Sequence, residues 1–258
     1  MAPRLHPLHL TAVLGGVAPL LGLALVVPAP WHWLPLGAAM GATGIGTVFL
    51  LRPALLRWNL VAWVSHSSLP ALLLVAMALS LRAFAPEPPW ALGLGWVLAL
   101  VALGLLLVGK HVLLVAKDGL VGSASEMLNL AAYLTAFLLF VALYRVHLPL
   151  AVKIGGVSSV AGLLTLELLG YTPAPLVRRL VFATVVSLGL AEVVLSLHFW
   201  PQEGAFTIAF LLVGFYLCTG LLQSYLRHRL SPWVVMEFLA VGVVSFVALY
   251  TFQAWQLG

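Results

Sequence analysis

Residues 90–115 read WALGLGWVLALVALGLLLVGKHVLLV, a run whose only charge is Lys110 and whose one other strongly polar side chain is His111. A helix that crosses a bilayer needs about 20 apolar residues, within a range of roughly 17–25. This run meets that length alone. Outward from it the same character recurs, at approximately 9–27, 32–51, 57–82, 126–145, 148–169, 175–198, 205–226 and 233–255. Numbered in chain order, these make nine spans. They are separated by Pro28–Pro30, Arg52–Pro53, Pro86–Pro89, Asp118–Ser125, His147, Thr172–Pro175, Pro201–Gly204 and Arg227–Pro232. The joints are short and leave no room for a soluble domain.

Composition supports the same conclusion. Apolar residues are 63% of the 258 positions, against about 45–50% in an ordinary soluble domain. Charged residues are 7%, where about 25% is usual. So few charges cannot cover a soluble surface, and disordered or disulfide-stapled classes are excluded by the same figures. The expected fold is all-α, a polytopic integral membrane bundle of about nine transmembrane helices. The first run resembles a signal peptide only in Arg4 before an apolar stretch. Val27-Pro28-Ala29-Pro30 offers no A-x-A cleavage site, so the run is read as a span. Cys218 is the single cysteine, so no intrachain disulfide forms.

The net charge of +5 is spread singly between the spans and is no nucleic-acid footprint. Basic loops stay cytoplasmic. With nine spans, one side holds Arg4, Arg52, Arg57, Lys110, Lys117, Arg178, Arg179, Arg227 and Arg229, and the other holds Arg82, Arg145 and Lys153. The N-terminus is expected inside and the C-terminus outside, in a bacterial-type plasma membrane.

Several short matches recur in the same order. His32-Trp33-Leu34-Pro35-Leu36 opens span 2 and His147-Leu148-Pro149-Leu150 opens span 6. Lys110-His111 ends span 4 and Arg227-His228 ends span 8. Phe140-Val141-Ala142-Leu143-Tyr144 in span 5 is echoed by Phe246-Val247-Ala248-Leu249-Tyr250 in span 9. These suggest a tandem repeat in a single transmembrane domain, with halves 1–122 and 123–230 and a final helix at 231–258. Four helices per unit is even, so the pseudo-axis would run along the membrane normal. Spans 2 and 6 also carry small-xxx-small pairs, Gly37/Gly41, Ala38/Ala42, Gly155/Ser159 and Ser158/Gly162. Small residues let helices approach closely in lipid, so both spans are expected to be internal.

Ionisable groups at membrane depth are costly and mark candidate sites. His66, in Ser65-His66-Ser67-Ser68 with Pro70 beyond, is expected near the middle of span 3. It has no second central histidine for a bis-histidine haem. Pro70, like Pro19, frees a carbonyl inside its helix. Glu192 and Lys153 fall at similar depth from the outer ends of spans 7 and 6, and are expected to form a polar pair, with His66 deeper on the same path. Glu237 lies about a turn inside span 9 and joins the candidate set. Glu126 fits a capping box begun by Ser123, and Ser231-Pro232 reads as a helix start. Glu167 is expected to pair with Arg178 or Arg179 at the membrane surface. Trp31, Trp33, Trp90, Trp200, Trp233 and Trp255 form the interfacial belt of any such protein.

Enzyme readings find little support. One aspartate, Asp118, cannot supply the several carboxylates that hold magnesium in transferase sites. There is no H-E-x-x-H or Cys/His cluster, and no cofactor or metal is expected. The functional expectation is a small transporter or permease-like protein, with a polar or proton path between two helical repeats. The alternative is a non-catalytic membrane subunit or scaffold, and the third is an intramembrane lipid-modifying enzyme using His66 or Glu192. Membrane lipids are the expected partners, a homo-oligomer or membrane complex is left open, and nucleic acid is not expected.

Overall fold

A computed structural model describes residues 7–27, 31–51, 60–84, 90–115, 120–146, 148–172, 174–199 and 204–257. Among the described residues the chain forms nine helices and no strand. They are α1 (Pro7–Val26), α2 (Trp33–Leu51), α3 (Leu60–Phe84), α4 (Trp90–Val115), α5 (Leu120–Arg145), α6 (Leu150–Leu169), α7 (Leu176–His198), α8 (Gly204–Leu226) and α9 (Pro232–Leu257). Arg4, Arg52, Arg57, Lys117, Asp118, His147, Trp200 and the prolines at 28, 30, 53, 86, 88, 89 and 201 lie outside the described residues. Among the described residues, eight helices are long and apolar enough to cross a membrane. The other, α3, is 25 residues long, or about 37 Å at 1.5 Å per residue, and contains the shorter apolar segment His66–Arg82. The protein is a polytopic helical membrane bundle.

Helix ends follow local chemistry. The Ser231 hydroxyl accepts from Val234 N–H at 3.3 Å, and Pro232 occupies the first helical position, where its missing N–H costs nothing. At the end of α8, His228 takes a left-handed φ of 54°. Arg229 N–H then donates to the Ser224 carbonyl at 2.9 Å, and His228 N–H to Tyr225 at 3.1 Å. That pair of bonds closes the last turn as a Schellman motif.

The chain divides into two compact units, residues 1–139 and 140–258, with the division inside α5. In the first, Val17, Leu21 and Ala24 of α1 pack with Leu36, Ala39 and Leu50 of α2, Leu74 and Ala78 of α3, and Ala99, Leu103 and Leu107 of α4. Gly46 is needed where α2 crosses α1, because a Cβ there would lie 2.6 Å from Val13 Cγ1. In the second, α7 buries Ala183, Val186, Leu190 and Val194, a stripe at helical spacing. It faces α6, where Gly162 sits against Ser187, and α8, where Gly214 sits against Leu190. The hydroxyl of Ser187 donates to the Ser158 carbonyl at 2.8 Å, so its 2.7 Å contact with the Ser158 hydroxyl has Ser158 as donor.

The small-residue pairs divide between uses. Ser158 and Gly162 do pack, against α7. Gly37, Gly41 and Gly155 instead face open space, with nothing near a Cβ placed on them. On α2 the buried face is Leu36, Ala39, Thr43, Thr47 and Leu50, and Gly37 and Gly41 lie on the other side of the helix.

Candidate functional site

Proline at position 70 of α3 has no N–H, so the carbonyl four residues earlier loses its helical donor. That carbonyl belongs to His66. In the structure Lys110 Nζ donates to His66 O at 2.6 Å, which fills the vacancy from α4. Lys110 is completely buried, at 0% exposure, and His66, Ser67, Ser68 and His111 are buried around the same two helices. Neighbouring helices close the site. A Cβ on Gly44 of α2 would touch Ser67 Cβ at 3.8 Å, and one on Gly109 would touch Met127 Sδ of α5 at 3.7 Å.

Depth follows from helix geometry. His66 lies six residues after Leu60, about 9 Å into α3, and Lys110 lies five residues before Val115, about 7.5 Å from that end of α4. The two helices are consecutive and antiparallel, so both groups sit about a quarter of the way in, or less, from the same end. His66 thus lies nearer the Leu60 end of α3 than the middle of that helix.

The other expected site residues belong to the second unit. Lys153 lies over the Tyr144 ring at 5.2 Å, a cation–π contact, rather than against Glu192. Glu192 is exposed, its backbone carbonyl taking the Ser196 hydroxyl at 2.8 Å. No ion pair joins the two among the described residues. At 100° per residue, Glu192 falls off the buried stripe of α7 that contains Leu190 and Val194. Glu237 is exposed on α9, and Glu126 is exposed on α5.

The arginines expected beside Glu167 turn elsewhere. Arg179 donates from Nε to Ala174 O at 2.8 Å and from Nη1 to Gly170 O at 3.2 Å, satisfying one carbonyl just before α7 and one at the C-terminal end of α6. Arg178 donates to the Tyr225 hydroxyl at 2.9 Å and lies over the Tyr225 and Phe182 rings. Glu167 is fully buried and accepts from the Tyr171 hydroxyl at 3.1 Å. Burial first, and then the Glu167 charge and hydrogen bond, push the Tyr171 phenol well above its ordinary pKa.

The family described as Protein of unknown function (DUF5656) matches residues 5–252. The chain belongs to the DUF5656 family. Neither a curated protein nor a solved structure matches it. In this DUF5656 chain two buried charged residues, Lys110 and Glu167, escaped the sequence reading because both lie near helix ends. Near an end, a basic residue reads as a loop charge and an acidic one as a surface partner. One signal for Lys110 was present: Pro70 requires a donor for the residue-66 carbonyl, and a lysine near the matching end of the next antiparallel helix can supply it.

Proposed function

We propose that the chain is a small membrane transporter or permease-like protein whose proton- or solute-handling centre is Lys110 with the polar turn His66–Ser68. The observation that carries this reading is the burial of Lys110 within a membrane-spanning helix, bonded to a carbonyl that a proline has freed. Ionisable residues at membrane depth serve ion and proton paths, and broken helices expose backbone carbonyls where transporters hold their cargo. A lysine amine keeps two N–H groups after losing a proton. Lys110 can therefore exchange a proton without giving up His66 O. The tandem matches between the first four helices and the next four support a two-part carrier. The same reading puts the N-terminus in the cytoplasm and the C-terminus outside, in a bacterial-type plasma membrane, from the basic loops. Reporter fusions after Lys117 and Arg229 then read cytoplasmic, and one at Gly258 reads external.

The test is reconstitution into liposomes holding a pH-sensitive dye, with a potential imposed across the bilayer. Wild type moves protons. Lys110→Gln, which keeps an N–H donor for His66 O but cannot titrate, abolishes the flux while thermal stability in detergent survives. Wild-type liposomes no leakier than empty ones, or undiminished flux in Lys110→Gln, overturn the reading.

One observation favours a scaffold subunit instead: no residue of the Pro232–Thr251 segment of α9 is buried. A discrete complex in mild detergent that dissociates on Val244→Arg, with no proton flux in liposomes, would select that alternative.

A further inference from the structure

The end of the first unit opposite Lys110 gathers groups that the transport reading does not use. Arg82, near the end of α3, reaches the last turn of α1, where Nη1 donates to Ala24 O at 2.8 Å and Val27 O at 2.9 Å. A guanidinium carries five N–H groups. Those two bonds use both hydrogens of Nη1, and the three on Nε and Nη2 have no partner among the described residues. In the turn before α2, His32 is nine-tenths buried and its Nδ1 has no hydrogen-bond partner. Burial, and then the Arg82 charge nearby, lower the His32 pKa. Trp31 and Trp33 flank His32 and are exposed, as expected of aromatic side chains at headgroup level. Glu87, the next carboxylate along the chain, lies outside the described residues.

Deeper on the same unit an open groove of about 380 Å³ runs between α1 and α4. It is lined by Leu14, Gly15 and Ala18 on one side and Val97, Val101 and Gly104 on the other. Its walls are almost wholly apolar. Ala18 lies six residues before Ala24, about 9 Å below the Arg82 contact.

We infer that this end of the first unit binds an anionic phospholipid, its phosphate held by the remaining N–H groups of Arg82 beside His32 and one acyl chain lying in the α1–α4 groove. A guanidinium matches the planar, two-oxygen face of a phosphate. The groove explains why the occupant is a lipid and not a free ion.

The experiment uses delipidated, detergent-purified full chain, melted with added phosphatidylglycerol, with phosphatidylcholine of the same chains, or with sodium phosphate. Phosphatidylglycerol raises the melting temperature most, and sodium phosphate leaves it unchanged. Arg82→Gln weakens phosphatidylglycerol binding about fivefold, the factor that one cation near an anionic lipid supplies, and removes the preference over phosphatidylcholine. Because Arg82 also caps α1, a second variant is needed. Gly15→Leu meets open space, so it folds and keeps the lipid-free melting temperature, yet loses most of the shift. Equal shifts from both lipids, a shift reproduced by phosphate alone, or a full shift in Gly15→Leu overturns the inference.

Discussion

The Lys110–His66 contact can be weighed by a double-mutant cycle with Pro70. Lys110→Met does two opposed things. It removes a buried ammonium, whose desolvation costs several kcal/mol, and it leaves His66 O without the donor that now sits 2.6 Å away. An orphaned buried carbonyl costs about 1–3 kcal/mol. The sign of the single variant is therefore no test of the contact. Pro70→Ala restores an N–H at position 70, so the His66 carbonyl regains its helical partner. In that background Lys110→Met still removes the charge but no longer takes from the His66 carbonyl its donor. The charge contribution cancels around the cycle and the carbonyl contribution remains. Hydrogen bonds between membrane helices measured in this way average about 0.6 kcal/mol and reach about 1.7. A charged donor on a proline-freed acceptor belongs at the upper end, so we expect a coupling of about 1–2 kcal/mol, with Lys110→Met better tolerated in the Pro70→Ala background than in the wild-type one. Reversible unfolding of the four proteins in bicelles with increasing SDS gives the numbers. Additivity within about 0.5 kcal/mol would refute the argument that Lys110 stands in for the missing N–H.

Further outcomes follow from the packing. Gly46→Ala should destabilise by about 1–3 kcal/mol, because Val13 is β-branched and cannot swing clear of the new methyl, whereas Gly37→Ala, facing open space, should be neutral or gain up to about 1 kcal/mol of helix propensity; melting in the same detergent compares them. Ser187→Ala removes both bonds to Ser158 and should cost about 0.6–1.7 kcal/mol, while equal stability would mean that the α6–α7 contact rests on shape alone. His32 has its pKa lowered below the ordinary 6.5 by burial and then by Arg82. The unfolded chain thus binds the proton first, and stability is present above pH 6.5 and lost as pH falls through the folded value. A melting temperature that declines below pH 6.5 in wild type, with the decline flattened in His32→Leu, is expected; an unchanged slope in the variant would show that His32 is not the group responsible.

The membrane-bundle fold and most helix limits were legible in the residues themselves. The run at 90–115 is α4 from Trp90 to Val115, and 32–51 became Trp33–Leu51. These features are local: a helix needs a length of apolar residues to satisfy its backbone in lipid, and prolines and charges end it. Which side of each helix faces inward was not legible. In water an apolar stripe marks the core, but in a bilayer the lipid side is equally apolar, so periodicity loses its contrast. Hence Gly37 and Gly41 on one side of α2 and Leu36 and Ala39 on another could not be ranked from their spacing. Glu192 and Lys153 fall at similar depth by sequence position, yet Glu192 is exposed on α7 and Lys153 lies over the Tyr144 ring. Lys110 and His66 lie forty-four positions apart. Their meeting depends on the packing of α3 against α4 and on the carbonyl that Pro70 leaves open. Sequence alone determined where the chain crosses the bilayer; tertiary packing decided which polar groups share its interior, because only there do distant helices offer one another the donors their own backbones lack.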